Sequence, residues 1–184
     1  MTGGLVRGDQ ISCSRVGGAM RRESSRLRQQ AQSLNEALAE LATQEDPEAG
    51  LPGQAGLAVT TALDVLRATA DDLDEAGAAL QRYATELAEG HELGRRAQRR
   101  VDAAGLLLEG GRVTEPWGPA DAERAERRRA QLPEVQSRVD LATAHTGRAR
   151  GRLEREMRRL TDSFSALSLQ TQAARQVTAS LRRS

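Results

Sequence analysis

The stretch from Gln54 to Leu108, QAGLAVTTALDVLRATADDLDEAGAALQRYATELAEGHELGRRAQRRVDAAGLLL, decides the fold. Taking every seventh residue from Val59 gives Leu66, Leu73, Leu80, Leu87, Gly94, Val101 and Leu108. Leu63, Ala70, Gly77 and Ala84 stand four residues after the first of these, and Ala62, Ala76, Tyr83, Ala97 and Ala104 stand three after. On an α-helix such spacing makes one continuous apolar stripe. A seven-residue period held this long is the seam of a coiled coil, stable only when another helix covers it.

Two further segments carry the same period. Before the stretch, Cys13, Met20, Leu27, Leu34 and Leu41 form a column that Val16, Ala31 and Leu38 widen. After it, Leu132, Val139, Thr146, Leu153, Leu160, Leu167, Ala174 and Leu181 form another. Val135, Ala142 and Ala149 accompany that column three residues on, and Met157 and Phe164 four on. The spacing predicts helix one over about residues 9–45, helix two over about 54–108 and helix three over about 120–181. Residues 1–8 are Gly-rich and read as frayed, with Asp9 or Ser12 capping helix one. Asp46-Pro47 ends that helix, because the residue before proline is pushed out of the helical region. Gly110-Gly111 stop helix two. The segment GGRVTEPWGPAD reads as a turn, Asp121 opens helix three, and Pro133 kinks it or ends a short preceding turn.

The expected fold class is all-α: an elongated antiparallel three-helix bundle or coiled coil, one helical unit over residues 1–184. At about 1.5 Å per residue, helices two and three would span roughly 80 to 90 Å and helix one about 50 Å. The shortest helix would leave a two-helix arm. Residue size follows the same logic, with Leu, Met and Phe where three helices would meet and Ala and Gly where two would.

Composition restricts the function classes. Hydrophobic residues make up 38% and aromatic residues 2% of the chain, which suits a slender Leu/Val/Ala bundle better than a thick globular core. All 27 basic residues are Arg, a bias that points to a GC-rich bacterial genome. The net charge of +1 argues against a dedicated nucleic-acid binder. The lone Cys13 excludes an internal disulfide and a cysteine-based metal centre, and its place on the seven-residue column suits a small buried apolar role. There is no apolar run of membrane-spanning length and no apolar centre of a cleavable signal peptide. The expected location is the cytoplasm, with export that needs no cleaved signal peptide as the alternative.

Few residues invite chemistry. His91 and His145, with Glu92, would make a zinc site only if the two arm helices brought them together, and no H-x-x-x-H spacing fixes them on one face. The carboxylates Asp71, Asp72, Asp74 and Glu75 lack a calcium loop and read as a helix face that pairs with arginines of helix one or three. The Arg clusters at 95–100, 124–129 and 148–159 are interleaved with Asp and Glu, the pattern of a solvated face laced with ion pairs. There is no P-loop, no nucleophile–base order and no G-x-G-x-x-G after a strand, so the chain reads as non-enzymatic, without cofactor or metal. Trp117, between Pro116 and Gly118, either caps the apolar end of the arm or anchors a partner. The candidate partner-binding residues are Trp117, Arg95, Arg96, Arg99, Arg127 and Arg128.

The first two helices form a hairpin, and the second carries LQRYATELAEGHELGRRA from Leu80 to Ala97. In these features residues 9–108 resemble the WXG-type (ESAT-like) helical hairpins of type VII secretion in actinobacteria. The resemblance implies a small protein that pairs with another hairpin, or fronts a toxin, and is exported without a cleaved signal peptide. The turn here is LPGQAG, without Trp-x-Gly, and the Trp-Gly pair lies in the other loop. Leu87 stands four after Tyr83, where the family's export signal carries an acid. A chaperone-like adaptor of secreted proteins therefore fits as well as a secreted substrate. The expected function is a helical interaction protein whose partner is another helical protein or itself. The alternative from a different class is an Arg-rich binder of nucleic acid or of an anionic membrane, whose affinity would fall steeply with salt.

Overall fold

A computed structural model describes residues 5–6, 8–44, 53–118 and 121–181. The chain is all-α, as its periodicity predicts. Helix α1 spans Gln10–Gln44, α2 Gly53–Ala103 and α3 Ala122–Leu181. Between α2 and α3 lies a short antiparallel hairpin of β1 (Leu107–Glu109) and β2 (Arg112–Thr114). The expected loop at Asp46-Pro47 lies outside the described residues.

Asp9 caps α1: its carboxylate accepts the Ile11 N–H at 3.0 Å, satisfying one of the donors a helix start leaves free. Asp121 precedes α3, and its carbonyl accepts the Ala125 N–H. Helix α3 runs through Pro133 without ending there, although proline has no N–H to offer the Arg129 carbonyl.

The end of α2 departs from expectation. The helix stops at Ala103 rather than Leu108, and Gly105 turns the chain with φ 64°. Leu108 continues the seven-residue column in sequence only. Gly110 and Gly111, at φ 58° and 87°, form the two-residue turn with both φ positive that closes a tight hairpin, pairing Glu109 with Arg112.

The chain divides into two compact units: unit 1 holds residues 1–14 and 81–154, and unit 2 holds residues 15–80 and 155–184. In unit 1 the core is the cluster Ala97, Val101, Leu106, Val113, Val135 and Val139, with Leu5, Ala104, Leu108 and Leu132 packed around it. The hairpin thus supplies core side chains that a bare helix pair would lack. Residues 5, 6 and 8 were expected to fray, yet Leu5 packs on this core and Gly8 lies against Leu87.

In unit 2 the core is Ala31, Leu63, Ala70, Ala76, Ala79 and Leu160, with Ser24 buried among them in α1. Fully burying a side chain such as Leu63 or Leu160 contributes about 1.5–3 kcal/mol. The companion column of α1 is Gly17, Ser24 and Ala31, four residues after the first. Val16, expected on the stripe, is 52% exposed. Around this core Arg21 pairs with Asp74 (3.1 Å), Arg28 with Asp71 (2.9 Å) and Arg159 with Glu75. The acidic face of α2 pairs with both neighbouring helices, as its sequence predicts.

Candidate partner-binding site

The candidate partner-binding residues all fall in unit 1. On α2, Glu92 collects three guanidiniums one and two turns on. Arg95 donates to it at 2.7 Å, Arg96 at 2.9 Å, and Arg99 lies 3.6 Å away. The hydrogen bonds from Arg95 and then Arg96 hold the Glu92 carboxyl below its usual range. These three arginines are therefore tied to a carboxylate of their own helix, Arg95 and Arg96 as i, i+3 and i, i+4 pairs and Arg99 two turns on.

On α3, Arg127 pairs with Glu123 at 3.4 Å. Arg128 turns inward, and its guanidinium covers Gly105 so closely that a Cβ there would meet Nε at 3.3 Å. Among the described residues no hydrogen bond or ion pair joins the Glu92 cluster to Arg127 or Arg128.

Trp117 follows β2 and is 104% exposed, so its indole touches almost nothing. The expectation that it caps the apolar end is overturned. Leu106 and Val113 are buried without it, each 4% exposed. On β1, Leu107 adds 43% exposed aliphatic surface. Beside the hairpin base, Arg100, Ala103, Ala104, Gln131, Glu134 and Val135 line an open groove of about 100 Å³.

One residue that periodicity does not single out holds the hairpin in place. Gln136 of α3 accepts the Val113 N–H at 2.7 Å and donates to the Gly111 carbonyl at 3.2 Å and to Asp140 at 2.8 Å. It occupies the outward-facing edge of β2, where a two-stranded ribbon has an N–H left over. Only its position one residue past Val135 hints at this role.

The histidines do not converge on a metal. His145 Nε2 lies 3.2 Å from the Glu86 carbonyl oxygen and 3.6 Å from Glu89. Among the described residues no group of three His, Cys, Asp or Glu side chains is gathered as a metal site would need. No helix among them is long and apolar enough to cross a membrane. Comparison of the chain with family models, with curated proteins and with solved structures returns no match.

Proposed function

We propose that the chain is a non-enzymatic helical interaction protein of the type VII secretion apparatus, a partner, substrate or chaperone-like adaptor that docks another helical protein. The observation that carries this reading is Trp117. An indole buries some of the largest apolar area of any side chain when it finds a pocket, and here it lies wholly in solvent. Fully desolvated tryptophans are among the commonest anchors of protein interfaces. Leu107 widens the apolar contact, and the groove beside Arg100 and Val135 offers a partner side chain a place at the base of the hairpin.

The Arg-rich alternative, binding of nucleic acid or anionic membrane, loses support from the pairing of Arg95, Arg96 and Arg99 with Glu92. The one carboxylate offsets one of the three guanidinium charges and so lowers the counterion release on meeting a polyanion.

The test is co-expression of the chain with the helical proteins encoded beside its gene, followed by light scattering on the eluted species. A stoichiometric complex is expected, with Trp117→Ala weakening it by roughly tenfold or more. A chain that stays a monodisperse monomer with each of them overturns the proposal. DNA retention that collapses between low and moderate salt would favour the alternative.

A further inference from the structure

The β1–β2 ribbon is three residue pairs long, and a two-stranded ribbon of that length is marginal by itself in water. Its inner side supplies Val113 and Leu108 to the core. Apolar burial of this kind is non-directional, so it holds the ribbon down without fixing how it lies. Direction comes from the Gln136 amide on α3. Its Oε1 accepts the Val113 N–H at 2.7 Å and its Nε2 donates to the Gly111 carbonyl at 3.2 Å, so one side chain grips both the strand and its turn. The same Nε2 donates to Asp140 Oδ1 at 2.8 Å, one helical turn on. An amide has one accepting and one donating end, and the carboxylate sets which of them faces the strand.

The hold continues towards Trp117. Glu115, one residue past β2, lies 3.4 Å from Arg129 Nε on α3. Pro116 follows, its φ locked by the ring. Trp117, the single tryptophan of the chain, thus has a fully exposed side chain on a backbone tied to α3 at Gly111, Val113 and Glu115. An anchor on a backbone that is already ordered loses less freedom when a partner takes it, and binding is tighter for it.

We propose that Gln136, oriented by Asp140, is a positioning residue of the partner site, raising affinity through Trp117 rather than by touching the partner. This inference rests on the docking function proposed above.

The test combines the order parameter of the Trp117 backbone amide, helical circular dichroism, and the Kd of the complex with the neighbouring helical protein. Gln136→Leu keeps the side-chain volume and removes all three hydrogen bonds. With the helical signal unchanged, the Trp117 order parameter is expected to fall below about 0.6, the flexible range. Affinity should drop by about tenfold. In a Trp117→Ala background the same change should leave affinity unaltered, because the two residues act as a unit. Asp140→Ala should loosen Trp117 in part, and Asp140→Asn, which keeps an acceptor, should restore it. A Trp117 amide that stays rigid in Gln136→Leu overturns the positioning role, as does an affinity loss that persists in the Trp117→Ala background. Should Gln136→Leu lose helical signal, the two Asp140 variants carry the test, and equal order parameters in them overturn the role. Loosening of Trp117 as expected, in a chain that forms no complex even when unaltered, keeps the hold of Gln136 on the ribbon and overturns the docking function.

Discussion

The two units are built from the same helices by different rules. In unit 2 the elements that pack together are all helical. Their contact surfaces are small: Gly17 and Gly77 meet so closely that a Cβ on Gly77 would stand 2.6 Å from the Gly17 carbonyl oxygen. Ion pairs from Arg21, Arg28 and Arg159 line the rim, and the interior holds the unpartnered Ser24 Oγ and Asp72 Oδ2. In unit 1 the core cluster is purely aliphatic, and non-helical pieces close it, the hairpin through Leu106 and Val113 and the segment bearing Leu5. The contrast lies in what covers the seam, a helix in unit 2 and short irregular pieces in unit 1; buried polar atoms with no hydrogen-bond partner among the described residues occur in both, Gln10 Oε1 in unit 1 and Ser24 Oγ and Asp72 Oδ2 in unit 2. A seam covered by short irregular pieces depends on dry side-chain contact.

The most severe way to break the comparison is to charge the dry core. Val139 is 0% exposed and sits in the aliphatic cluster of Ala97, Val101, Leu106, Val113 and Val135. Val139→Asp should cost about 3–5 kcal/mol by leaving an unpaired charge or a protonated acid among aliphatic chains. A calorimetric scan would show unit 1 losing its cooperative transition first. Equal loss of both units would mean that they melt as one, and the proposed contrast would be structural without being energetic.

Next in size are the glycines that set close approach in each unit. Gly77→Ala places its methyl 2.5 Å from Arg21 Cγ and against the Gly17 backbone, which cannot rotate away. The loss should be about 1–3 kcal/mol even after the better helix propensity of alanine, about 1 kcal/mol, is credited. In Gly90→Ala the methyl meets the Thr146 methyl, the end of a side chain that can change rotamer. It should cost less than Gly77→Ala in the same denaturant titration. A reversal of that order would show that unit 1 is packed the more rigidly of the two.

How much of this was legible follows from what each element depends on. The three helices and most of their columns are local properties, fixed by apolar spacing that any helix must obey. Val16 misleads because apolarity suggests a stripe three residues after Cys13, whereas close packing selects Gly17, Ser24 and Ala31 for their size. Leu106 to Leu108 prolong the apolar run past Gly105, so the column masks the hairpin even though Gly110-Gly111 is a hairpin turn sequence. The hairpin also needs Gln136, distant in sequence, to take the Val113 N–H. Trp117 stands out on residue type alone, but its full exposure is a tertiary property that no local spacing encodes. The packing of Leu5 on the core is the least legible feature: an aliphatic among glycines carries no period.

A smaller effect, opposite in sign, sharpens the account of unit 2. Ser24 is 0% exposed, and its hydroxyl has no hydrogen-bond partner among the described residues, although a helical serine can usually reach a carbonyl one turn back. Ser24→Ala removes the unmatched group, keeps nearly the same volume and raises helix propensity. It should stabilise the chain by about 1 kcal/mol in urea or thermal unfolding. Destabilisation instead would mean that the hydroxyl is matched in solution, leaving Asp72 Oδ2 as the unmatched buried atom of unit 2 among the described residues.

The smallest expected effect concerns the Arg-rich turn of α2. Glu92 is held below its usual range by Arg95 first and Arg96 second. A carboxylate whose folded pKa is depressed binds its proton more tightly in the unfolded chain, so stability rises with pH where the unfolded form still holds that proton. The contribution is complete above the ordinary Glu range near pH 4.5 and is lost as pH falls through the lowered folded value. Because the pair is exposed, salt should erase most of it. Glu92→Gln should therefore flatten the acid limb of the stability curve slightly at low ionic strength and change nothing in high salt. A salt-insensitive loss would instead place Glu92 in a less solvated environment, with Arg95, Arg96 and Arg99 as a structural clamp rather than a solvated face.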